Sequence, residues 1–133
     1  MAAAGTTFVD PSDVHAPAGP YSHTAVVPAG TALIFVAGQV GMRPDGSVPD
    51  AFAEQAELTF RNLRACLAAH GVGVEAVVRL GVFLLPGQDF ALLRAARERH
   101  FGGHRPASTT VYVPQLASPK LLLEIEAVAA KRS

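Results

Sequence analysis

Only two stretches of this chain repeat their apolar residues at helical spacing, and they are interleaved with five strand-like stretches. Two helices can cover one face of a sheet that size; the other face must meet water or another subunit. The first helical stretch runs from Ala51 to about His70. Phe52, Ala56, Phe60, Leu63 and Leu67 form its apolar stripe, Asp50 is the expected N-cap, and Gly71 follows its end. The second runs from Phe90 to Phe101, opened by Asp89 and stopped by Gly102-Gly103.

The first twenty residues are rich in Ala, Gly and Pro and read as an extended arm, with room for one extra strand. Gly19-Pro20-Tyr21-Ser22 reads as a turn, because Pro20 fixes its own φ and restricts Gly19. Strands are expected at Thr24–Val27, Leu33–Ala37, Ala76–Leu85, Ala107–Val113 and Leu121–Ala129. The run Leu33-Ile34-Phe35-Val36-Ala37 is continuously apolar, as in a strand covered on both faces, and Gly38-Gln39-Val40-Gly41 should close it. The resulting order is β-β-α-β-α-β-β. In the third and last of these strands the second faces are too apolar for free solvent and too polar for a dry core. Val77, Gly81, Phe83 and Leu85 lie on one, and Leu122, Glu124, Glu126 and Val128 on the other. Subunit contact is the economical reading, although pattern alone does not fix the subunit count.

Composition narrows the function. The 133 residues suit one domain, and eleven basic residues balance eleven acidic ones without a Lys/Arg run. No nucleic-acid footprint is visible, and no apolar stretch is long enough to span a membrane. The start, MAAAGTTFVD, lacks a basic region followed by a long apolar one, so a cytoplasmic protein is expected. The lone Cys66 permits no intrachain disulfide, and it reads as an inert thiol near the apolar stripe. His100 and His104 have no third ligand nearby, so no metal is expected, and no G-x-G-x-x-G fingerprint follows a strand. No cofactor is expected either.

Several short motifs recur in order along nearly the whole chain: Ala16-Pro17 to Gly19-Pro20-Tyr21-Ser22, Val36-Ala37-Gly38-Gln39-Val40, Asn62-Leu63 with Ala69 and Gly71, Phe83-Leu84 with Asp89-Phe90, Pro106-Ala107-Ser108, and Leu123-Glu124-Ile125-Glu126-Ala127-Val128-Ala129. In this set the chain resembles the RidA/YjgF family, once named L-PSP ribonucleases. The resemblance implies an α+β, chorismate-mutase-like fold, with a mixed β-sheet and two helices packed on one face. It also implies a homotrimer with small-molecule clefts between subunits. In its best understood members it implies hydrolysis of imines or enamines derived from amino acids, releasing a 2-oxo acid and ammonia. A ribonuclease is not supported, because neither a basic cleft nor a catalytic His pair is present.

Carried over residue by residue, the resemblance makes Glu124 the group that orients water and Tyr21 a pocket wall. Ala37, Gly38, Phe83, Ser108 and Thr110 complete the expected substrate-binding set, with Gly38 offering its N–H. Ser108 is a departure: the family pattern Pro-Ala-Arg-Ser reads Pro106-Ala107-Ser108-Thr109 here, and a serine supplies no cation for a substrate carboxylate. A charge-assisted bond to such a group is worth roughly 1.5–3 kcal/mol. Thr110 and Ala37 also depart from the family's usual residues. Arg105 is a candidate substitute, as is Arg79 of a neighbouring copy; a solvated loop arginine is the plainer reading of Arg105. His23 could act as an acid or base, but a surface histidine is its plainer reading. On β alternation, Ser108, Thr110 and Tyr112 share one side. If Val111, Val113, Leu123 and Ile125 face the helices, then Ser108, Thr110 and both glutamates face the subunit interface together.

Three functions remain open at this point. One is a divergent hydrolase acting on an imine, enamine or related small metabolite. Another is an ordinary 2-imino acid deaminase with a substitute cation. The third is a non-catalytic metabolite-binding trimer.

Overall fold

In the computed structural model, which describes residues 3–132, the two helices and most of the strands fall where periodicity puts them. The strands are β1 (Thr7–Val9), β2 (Thr24–Val26), β3 (Thr31–Val40), β4 (Val77–Leu84), β5 (Ala107–Tyr112) and β6 (Leu123–Arg132). The helices are α1 (Phe52–Ala68) and α2 (Phe90–Phe101). The arm supplies the extra strand: β1 pairs antiparallel with β2 in a small ribbon.

The remaining strands form one mixed sheet in the order β3-β6-β4-β5. β6 is antiparallel to both β3 and β4, while β4 and β5 run parallel. A parallel neighbour needs a crossover, and α2 provides it. Phe60, Leu63 and Leu67 of α1 and Leu93 and Ala96 of α2 share a core with Leu80, Val82 and Leu84 of β4 and Leu123, Ile125 and Ala127 of β6. Both helices therefore cover the same face of the sheet. The two helices are tied together by Glu57 of α1, whose carboxylate meets Arg99 at 3.1 Å and His100 at 3.0 Å on α2.

Three expectations need correction. Asp50 does not cap α1; Ala51 occupies that position with no side-chain bond, and its carbonyl accepts from Gln55 N at 3.0 Å. The anchoring there is done by buried Gln55, whose amide donates to the Pro49 and Lys120 carbonyls and accepts from Leu122 N. Gly41 packs so tightly on Gln55 that a Cβ would lie 2.7 Å from its Cα. Second, β3 does not close at Gly38 but continues to Val40 through a bulge between Val36 and Gln39, where one extra residue is absorbed. Third, β3 is not covered on both faces within the chain. Val36 enters the core, whereas Leu33 is 47% and Phe35 75% exposed.

Candidate functional site

A cavity of about 340 Å³ opens on the helix side of the sheet, between the Gly19-Pro20-Tyr21 turn, α2 and β5. The turn is docked against the start of β5 by sequence-distant bonds. Ser22 Oγ donates to the Arg105 carbonyl at 2.5 Å, and Ser22 N donates to the Pro106 carbonyl at 3.1 Å. Tyr21 N returns to the Gly19 carbonyl at 2.9 Å, and the Tyr21 hydroxyl accepts from Ala18 N at 3.2 Å. The floor is apolar, made by Phe60, Leu80, Val82, Leu93 and Ile125; Tyr21, Phe90, Ser108 and Thr110 supply the walls.

Two further walls are guanidinium groups, Arg94 and Arg97, and no carboxylate lines the cavity among the described residues. Arg97 Nη2 donates to the Pro20 carbonyl at 2.6 Å, Nη1 lies 3.5 Å from Ser108 Oγ, and Nε is buried without a partner. Burial, with the nearby charges of Arg94 and Arg105, pushes the Arg97 guanidinium down to about 10. Arg97 was not among the residues singled out from the sequence, yet a signal was there. Phe90, Leu93, Arg97 and Phe101 recur at helical spacing on one face of α2, so a half-buried cation interrupts an apolar stripe, with exposed Arg94 at its edge.

The expected site residues divide between the two faces of the sheet. Tyr21, Ser108 and Thr110 line the cavity. Glu124 and Phe83 are cross-strand partners on the opposite, helix-free face, and Gly38 lies against Glu124 there. A Cβ on Gly38 would come within 2.6 Å of the Glu124 carboxyl, so that close approach requires glycine. Gly81 makes similar room for Glu126: a Cβ there would lie 2.9 Å from Glu126 Cγ. Ala37 is exposed beside the bulge, and its carbonyl accepts from Gln39 Nε2 at 3.0 Å. Arg105 is exposed and outside the cavity lining, in the loop before β5. Arg79 lies on the open face, where Nη2 donates to Thr109 Oγ1 at 3.1 Å.

The expectation that Ser108 and Thr110 share a face with the glutamates is therefore overturned for β5. Leu123 and Ile125 do face the helices, but Val111 does not; it pairs with Phe83 on the open face and is 41% exposed. Ser108 and Thr110 pair with Leu80 and Val82, whose side chains point into the core. The register with β4 sets the face, and a one-residue change in phase would exchange it. Within β5, Thr and Ser alternate with Thr and Val, so the strand's own pattern carries too little apolar contrast to fix the phase.

Among the described residues no helix is long and apolar enough to cross a membrane, and no cluster of three metal-ligating side chains occurs.

This α+β architecture, with two helices on one face of a mixed sheet, is that of the Rid proteins. The chain belongs to the family described as Endoribonuclease L-PSP, whose profile matches residues 12–131. Protein HMF1 of Saccharomyces cerevisiae is 33% identical over 118 residues, covering 88% of each chain. The "Putative reactive intermediate deaminase TdcF" of Escherichia coli is 32% identical over 104 residues, 74% of this chain and 79% of its own. TdcF has also been solved with bound serine, and that structure superposes with a TM-score of 0.70 at 29% identity, covering 96% of this chain and 99% of TdcF. The Rid protein YyfB of Yersinia pestis superposes with a TM-score of 0.81 at 27% identity, covering 93% and 97%.

Proposed function

We propose that the protein is a deaminase-type hydrolase acting on a small imine or enamine, working as a homotrimer whose sites are assembled from two copies each. The carrying observation is the division of the site residues between the faces of one sheet. Tyr21, Ser108 and Thr110 lie on the cavity side, and Glu124 with Gly38 on the open side, so one copy does not bring them together. A second copy seated on the open face would cover Phe35, Leu33 and Val111, which are too apolar to favour solvent. It would also bring a Glu124 edge toward a neighbour's cavity. The name of TdcF and its capture with serine favour a small, amino-acid-like ligand.

The chemistry needs little machinery. Glu124, as carboxylate, takes a proton from water as the water oxygen bonds to the C=N carbon. The C=N pair moves to nitrogen, which takes that proton back from Glu124 and gives an amino alcohol. Glu124 then carries the hydroxyl proton to the amine, and the C–N bond breaks as C=O forms, releasing a carbonyl compound and ammonia. An enamine enters the same route after protonation at carbon. On this reading the backbone N–H of Gly38, which lies against Glu124, holds the substrate's polar end.

Freshly generated 2-iminobutyrate and 2-aminoacrylate test the reaction by coupled detection of ammonia. Release above the uncatalysed rate is expected, with loss of at least about a hundredfold in Glu124→Gln, in the range for a general base. Release unaffected by that substitution, or no release at all, overturns the assignment. Sedimentation tests the assembly: a particle of three times the 13.8 kDa chain mass is expected, and a single-chain particle refutes the composite site.

A further inference from the structure

Arg97 is a half-buried cation of α2 with no counter-ion among the described residues. It is aimed into a cavity whose described lining holds a second arginine and no acid. Its protein contacts hold it in place without neutralising it. Nη2 is fixed on the Pro20 carbonyl, Nε is buried without a partner, and Nη1 reaches Ser108 Oγ only at 3.5 Å, the outer limit of hydrogen bonding. Nη1 also carries two N–H groups, so donor capacity is left over at the cavity wall.

We propose that Arg97 is the residue that selects the ligand's anionic group, and that the cavity takes a small carboxylate with a short apolar body. A planar guanidinium matches a carboxylate better than a point charge does. The apolar floor of Phe60, Leu80 and Val82 suits a short aliphatic chain, and about 340 Å³ is near the lower end of ligand cavities. The identity of residue 108 fits the same picture. With Ser108 Oγ 3.5 Å from Nη1, an arginine at 108 would set a second guanidinium against the one already there. A serine leaves Arg97 its space, and the charge reaches the cavity from the helix instead of the strand. This deepens the deaminase reading by naming the charge on its substrate, but binding itself does not depend on that reaction.

The probes are 2-oxobutyrate and its uncharged isostere 2-oxobutyramide, titrated calorimetrically into the full-length protein. The acid is expected to bind at least tenfold tighter than the amide. Arg97→Gln is expected to lose at least tenfold for the acid and little for the amide, and Ser108→Arg added to that variant should recover most of the loss. Equal binding of acid and amide, or unchanged acid binding in Arg97→Gln, overturns the proposal.

Should loss of the Pro20 contact unfold Arg97→Gln, the wild-type protein still decides. The Arg97 Nε–H resonance, assigned with Arg97→Lys, must move on addition of 2-oxobutyrate; a stationary signal refutes the role. The two readings can fail separately. Ammonia release with a KM unchanged in Arg97→Gln removes the Arg97 role and keeps the deaminase. Arg97-dependent binding of 2-oxobutyrate without ammonia release does the reverse.

Discussion

The two faces of the sheet are made by the same strands, and alternate residues of β4 and β6 send Leu80, Val82, Leu123 and Ile125 one way and Gly81, Phe83, Glu124 and Glu126 the other. On the covered face, large side chains fill space under two helices until β5, where the packing gives way to the cavity. On the open face, glycines at 38 and 81 make room for glutamates, and Phe35 stands largely free. The covered face is packed within one chain, whereas the open face leaves Leu33, Phe35 and Val111 exposed, which in the proposed assembly a second copy covers. Stability and catalysis are thus expected to be separable by face.

The sharpest way to break this contrast is Phe35→Asp. Repeated in every copy, the buried charge should dissolve the assembly, so sedimentation should fall to the 13.8 kDa species and deaminase activity should vanish. If the assembly persists, the open face is not the interface. Leu123→Ala, on the covered face and fully buried, should cost about 2–5 kcal/mol in denaturant unfolding. A cost below about 1 kcal/mol would mean that this face is not the principal core.

Gly38→Ala should leave the covered face intact but displace the Glu124 carboxyl. Turnover is then expected to fall about tenfold to a hundredfold, equivalent to about 1.4–2.7 kcal/mol, with little change in 2-oxobutyrate affinity. Asp89→Ala removes the acceptor for Ala91 N at the start of α2 and should cost about 1 kcal/mol. The smallest effect concerns Glu57. Burial alone would raise its carboxyl, but Arg99 and His100 outweigh it and hold it below the ordinary glutamate range. A depressed carboxyl contributes stability above its unfolded value of about 4.3 that is lost as pH falls through the lower folded value. Because the group is partly solvated, Glu57→Gln should flatten the acid limb of the stability curve by only a few tenths of a kcal/mol.

Much of the fold was legible because local chemistry agrees with packing. α2 begins and ends where Asp89 and Gly102 place it, since an acceptor for a free N–H and a positive φ are local requirements. The apolar stripe of α1 was readable for the same reason, but its start was not. The anchor there is Gln55, held by carbonyls at Pro49 and Lys120, and only the fold brings Lys120 near. Within the site, the resemblance drew attention to Tyr21, Ser108, Thr110, Gly38 and Glu124, yet gave no sign that they divide between two faces. Arg97 escaped notice because an arginine on a short helix ordinarily reads as solvated. Its meaning depends on Ser108 and Pro20 arriving from elsewhere in the chain.

What the residues alone determined were the periods, the turns and the succession of elements, because these depend on neighbours a few positions away. What only the tertiary structure decided was the phase of β5 against β4, and with it which side chains meet Arg97. That phase rests on pairing Leu80 with Ser108 across the 27 residues that lie between them. No alternation inside β5 could have fixed it, since both of its faces carry hydroxyls.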